Sequence, residues 1–126
     1  MPKVRSKMYF YDNPKVTVVQ GVRLDDYLND HDFDLVFMDI EGSEYFAFLG
    51  MQDIFAHAKA LIVEFLPHHL IQVAGVTVEQ FLAPLMPHFR SLTIPGMGRI
   101  ASDSFLRVLQ AMVEQERGEP AIIFEK

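Results

Sequence analysis

Two apolar runs organise the hydrophobic pattern of the chain, Asp34 to Met38 (DLVFM) and Ala60 to Phe65 (ALIVEF). A short run with so little polar alternation fits a strand buried on both faces. Between the two runs, Ser43 to Leu49 reads as a helix with Ser43 at its N-cap and Gly50 as its stop, and Met51 to His57 as a further helical turn. Strand, helix and strand within about 30 residues make a right-handed parallel crossover unit. Upstream, β-branched Lys15 to Val22 (KVTVVQGV) fits another strand. Arg23 to Asn29 then spaces Leu24, Tyr27 and Leu28 as a short amphipathic helix with Asp25 and Asp26 in its first turn. Downstream, Thr77 and Gln80 form a capping box that opens a helix stopped at Pro87. Phe89 to Ile94 reads as a strand, Pro95 to Gly98 as a loop, and Ser102 or Asp103 as the cap of a helix to about Glu116. Its stripe of Phe105, Leu106, Leu109, Met112 and Val113 marks the buried side. Gly118 and Pro120 end that helix, and Ala121 to Glu125 is the last predicted strand.

Composition narrows the function classes. A chain of 126 residues, half of them hydrophobic, is predicted to be one domain with a real core. A formal net charge of −6 argues against nucleic acid or an anionic membrane as the main partner, since both need a basic face. The basic residues Lys3, Arg5 and Lys7 read as a solvated tail, and the aromatic Met8 to Tyr11 as an edge strand or an arm that packs on a partner. With no cysteine, disulfides and thiolate chemistry are excluded. Apolar runs of at most about eight residues are too short to cross a membrane, and no secretory pattern opens the chain, so a cytoplasmic location is expected.

The chemistry concentrates where the first apolar run ends. Asp39, Glu41 and Glu44 surround Gly42, where a strand should give way to a helix. Ligands of open α/β sheets bind outside the carboxyl ends of the strands, and a glycine there permits a sharp turn. The competing reading is structural, because carboxylates at a helix N-terminus stabilise it without any further role. Glu64 sits one residue before the end of the second strand, where a carboxylate is costly to bury unless paired or at the rim. His68 and His69 follow at that same end, and at most one of two adjacent histidines would turn toward the acids. An exposed loop pair is their simpler reading, so no metal site is assigned, although a metal-assisted hydrolase using Asp39, Glu41 and His68 or His69 stays open as an alternative. Gly96-Met97-Gly98 lacks the third glycine of a phosphate loop, and neither a nucleophile elbow nor a Walker loop is present.

The segments Leu24 to Leu28 (LDDYL), Asp34 to Gly50 (DLVFMDIEGSEYFAFLG) and Ala60 to Phe65 together resemble the FkbM family of S-adenosylmethionine-dependent methyltransferases. The family pattern is matched at Leu24-Asp25, Asp39-Ile40-Glu41-Gly42, Glu44, Leu49 or Gly50, and Glu64, over about residues 22 to 66. The resemblance implies an α/β fold: a partial Rossmann-like methyltransferase sheet, mixed, of about four to five strands, with helices on both faces. Its last strand would insert antiparallel between its neighbours. It also implies S-adenosylmethionine as cofactor, with Asp39 at the cofactor and Asp39 and Glu41 as catalytic residues. Gly42, Glu44, Glu64, His68 and His69 would then be substrate-side or structural, and the acceptor a small-molecule, glycan or lipid hydroxyl. Phe37 departs from the lysine common in the family at that position. No glycine-rich turn precedes Leu24, so residues 1 to 126 are expected to form a single domain lacking the amino-terminal cofactor-binding half. The strand that normally pairs with DLVFM would be missing too, and either KVTVVQGV or a second subunit is expected to cover the exposed edge. A non-catalytic oligomerising or regulatory module derived from a methyltransferase is the other alternative.

Overall fold

The computed structural model describes residues 15–126. In chain order its elements begin with α1 (Leu24–Tyr27), β1 (Leu35–Met38), α2 (Glu44–Leu49), α3 (Gln52–His57) and β2 (Ala60–Phe65). The short α4 (Pro67–His69) runs on into a π turn over Leu70–Ala74, followed by α5 (Val78–Leu82), β3 (Ser91–Ile94) and β4 (Gly98–Ala101). A 3-10 turn at Ser102–Ser104 leads into α6 (Phe105–Glu114), and β5 (Glu119–Glu125) completes the set.

The crossover expected from the two apolar runs is present. β1 and β2 lie parallel, with Leu35 opposite Ala60 and Met38 opposite Val63. β5 inserts antiparallel between β2 and β3, and β4 hairpins back on β3, which gives the order β1-β2-β5-β3-β4. The capping box is formed as well: the Gln80 N–H donates to Thr77 Oγ1, and the Thr77 N–H donates to Gln80 Oε1.

One face of this sheet is packed and the other is partly open. Leu61, Val63, Ile122, Phe124 and Leu92 share a face and are buried, as the period-2 alternation of a strand requires. The buried side chains of α2, α3, α5 and α6 gather there, through edge-on aromatic contacts such as Phe48 with Phe81, Phe65 with Phe81 and Phe105 with Phe124. On the opposite face Ile62, Ile123 and Thr93 are only half-buried, and Leu35 and Phe37 are 54% and 67% exposed. The mixed five-stranded α/β sheet with its helices is therefore as expected, and the buried side chains of those helices concentrate on one face.

Three strand expectations change. DLVFM is an edge strand rather than one buried on both faces, because nothing among the described residues pairs with its free side. Lys15 to Val22 forms no strand and does not cover that edge; it pairs with nothing among the described residues, and Val16 and Val18 are almost fully exposed. A β-branched sequence has no extended structure to hold once its ladder partner is missing. The fifth strand is instead β4, whose Gly98 and Arg99 disguise it as loop. The basic tail and the aromatic Met8 to Tyr11 lie outside the described residues. Among the described residues no helix is long and apolar enough to cross a membrane.

Long-range polar contacts lock the crossover in place. The Asp25 carboxylate accepts from the N–H groups of Asp53 (2.9 Å) and Ile54 (3.1 Å), so α1 caps α3 from a distance. His31 reaches Asp53 with Nδ1 and the Leu28 carbonyl with Nε2. The Asp53 carboxylate beside it raises the pKa of His31. His88 contacts Gln52 Oε1, and burial, with help from Lys126, lowers its pKa. The fold thus favours protonated His31, whose contribution is complete below the ordinary value of 6.5 and fades as pH rises through the raised one. It favours neutral His88, whose contribution is complete above 6.5 and fades as pH falls. Imidazole NMR titration should give a midpoint above 6.5 for His31 and below 6.5 for His88. The opposite order would refute both environments.

Candidate functional site

β1 and β2 end side by side, and Asp39 and Glu64 follow the paired Met38 and Val63. After Asp39 the backbone reverses through two residues of positive φ, Glu41 at 56° and Gly42 at 98°. For glycine that costs little, but for Glu41 it costs roughly 1–2 kcal/mol. Residues held against such a cost cluster at functional sites.

Glu44 holds the turn. It is buried at the start of α2, and its carboxylate accepts from the Ile40 N–H at 2.8 Å and the Gly42 N–H at 3.1 Å. Ser43 occupies the N-cap position but makes no capping bond through its side chain. Gly42 packs against the π turn, where a Cβ would lie 2.7 Å from Val73 Cβ. Of the carboxylates in the motif, Glu44 is therefore structural, and Gly42 is required by both conformation and space.

The π turn and α4 bring His69 over the strand ends. Its Nδ1 lies 3.4 Å from Glu64 Oε1, and its Nε2 lies 3.8 Å from Glu41 Oε2. Glu64 and His69 side chains are only 15% and 16% exposed, against 78% for Glu41. Burial raises the pKa of Glu64, and the neighbouring carboxylates of Asp39 and Glu41 add to the shift, with His69 opposing it. His68 turns away, exposed, beside Ile71, Val113 and Glu116. The structure thus brings together Asp39, Glu41, Glu64 and His69 and leaves His68 out. An open groove of about 510 Å³ runs from Asp39 past Met38 and Phe37 along the free side of β1. Gly96 and Gly98 belong to the β3–β4 hairpin at the opposite edge of the sheet, which removes them from the site.

A family profile described as the methyltransferase FkbM domain matches residues 3–118. The chain belongs to the FkbM methyltransferase domain family. No curated protein and no solved structure matches it significantly. The FkbM match extends well beyond the stretch of about residues 22 to 66 that carried the resemblance in the sequence. Two of the FkbM landmarks, Asp25 and Glu44, acquire structural explanations as the cap of α3 and the brace of the turn. Sequence reasoning placed Asp25 only in its own helix, because a cap supplied across 28 positions leaves no local signal.

Glu44→Ala should cost about 2–3 kcal/mol in urea unfolding, since it strands two amides that a charged acceptor now satisfies. Ser43→Ala should stay within about 0.5 kcal/mol of the parent, because its hydroxyl makes no cap bond. Equal losses for the two variants would contradict the assigned roles.

Proposed function

We propose that this FkbM-family chain supplies the acceptor side of a cytoplasmic, S-adenosylmethionine-dependent O-methyltransferase, and that it binds the cofactor weakly by itself. The observation that supports this reading best is the convergence of Asp39, Glu41 and Glu64 beyond the carboxyl ends of two parallel strands, where α/β enzymes bind their ligands. Bound S-adenosylmethionine supplies an electrophilic methyl group. The part left to Asp39 and Glu41 is to orient an acceptor hydroxyl, of a small molecule, glycan or lipid, and to take up its proton.

The described residues do not fit the methionine part of the cofactor. A glycine-rich cradle needs open space above its backbone, and the space above Gly42 is filled by Val73. Of the other positive-φ glycines, Gly75 stands alone at the end of the π turn, and Gly96 and Gly98 lie at the far sheet edge. No transfer step is assigned through the cofactor on these residues alone. Titration calorimetry with S-adenosylmethionine should give no saturable heat in the micromolar range. Micromolar binding would overturn the view that these residues do not hold the cofactor by themselves.

A second reading is favoured by the free side of β1. A strand with one side unpaired among the described residues, carrying exposed Leu35 and Phe37, is a template for another strand, and proteins cover such edges. A homo-oligomer in which β1 pairs with β1 of a second copy would do so, whether or not the chain is catalytic. Sedimentation velocity should then show a dimer that Phe37→Lys converts to monomer. A monomeric parent at tens of micromolar would remove this reading.

A further inference from the structure

We propose that Glu41, Glu64 and His69 form a binding site for one divalent cation. One donor atom from each of the three lies within 4.8 Å of the others. Glu64 Oε1 and His69 Nδ1 are both buried to less than 1 Å² and have no hydrogen-bond partner, although they face each other at 3.4 Å. Leaving a buried polar atom unpaired costs about 1–3 kcal/mol, so two of them side by side call for something that satisfies both. Bonds of about 2.1 Å to a tetrahedral zinc set neighbouring donors about 3.4 Å apart, which is the spacing found here. A small cavity of about 10 Å³ adjoins Gly42, Glu64 and His69, room for a single water-sized species.

Charge points the same way. The carboxylates of Asp39, Glu41 and Glu44 all crowd Glu64, and among the described residues the His69 imidazole is the neighbour that opposes them. A doubly charged ion bound by two carboxylates and a neutral imidazole relieves that repulsion. Glu41 is exposed and completes the set by a side-chain rotation, while Glu64 and His69 are fixed by packing. Carboxylate oxygen and imidazole nitrogen without thiolate select Zn²⁺ or Mn²⁺. Three protein ligands leave a position open for an oxygen of the acceptor, a use that rests on the methyl-transfer reading; binding of the ion itself does not.

The test is calorimetric titration of the metal-stripped full chain with ZnCl₂, and separately MnCl₂, with no methyl donor present, so that its outcome is independent of cofactor binding. One equivalent of at least one ion should bind with micromolar or tighter affinity. Glu41→Gln and His69→Ala should each weaken it at least about tenfold, and His68→Ala should leave it unchanged. Co²⁺ loaded in place of zinc should show ligand-field bands that disappear in His69→Ala. Absence of saturable stoichiometric binding, or equal weakening by His68→Ala and His69→Ala, would overturn the proposal and leave His69 as a side chain packed between two carboxylates. Glu41 is exposed, so Glu41→Gln keeps the test decisive even if His69→Ala fails to fold.

Discussion

The turn from β1 into α2 depends on one buried carboxylate. Glu44 reaches back to the N–H groups of Ile40 and Gly42, and by doing so it holds Glu41 in a left-handed conformation that the residue would otherwise leave. A charge-assisted hydrogen bond contributes about 1.5–3 kcal/mol, enough for the pair to outweigh roughly 1–2 kcal/mol of backbone strain. The consequence is positional. Glu41 projects beyond the strand ends toward His69, and Gly42 offers the bare backbone on which Val73 rests. Glu44 thereby couples the motif loop to the π turn, and so to the histidine that completes the cluster.

The parts of this architecture that local pattern governs were legible in the sequence. Uninterrupted apolar runs gave β1 and β2, the Thr77–Gln80 pair gave the start of α5, and a stripe at helical spacing gave α6. The family resemblance added the antiparallel insertion of β5. Features set by distant partners were not legible. Lys15 to Val22 has strand composition but joins no ladder among the described residues, whereas Gly98 to Ala101 has poor strand composition and a ladder imposed by the hairpin. The acidic cluster was visible as a candidate site, but composition could not separate Glu44 from Glu41. Nor could it choose His69 over His68, because the choice is made by the rotation of a helical turn continuing into a π turn.

The sheet is asymmetric in a way that follows from its covering. With the aromatic core on one side, the strands need only one apolar face, and the other face keeps half-buried Ile62 and Ile123 beside exposed Leu35 and Phe37. The acidic end of this open side holds Asp39 and Glu64, so an apolar surface leads directly to a cluster of charge. A surface of that kind suits a second layer more than bulk water.

The position of β5 also sets an order of assembly. It is the central strand, pairing with β2 on one side and β3 on the other, yet it follows every other element in the chain. Before it arrives, β1 with β2 and β3 with β4 are separate two-stranded fragments, each too small to be stable alone. On a ribosome the site at the ends of β1 and β2 would therefore wait for the residues from Glu119 onward to emerge. An interruption anywhere before them leaves a chain with its acids and histidine in sequence but no sheet to bring them together.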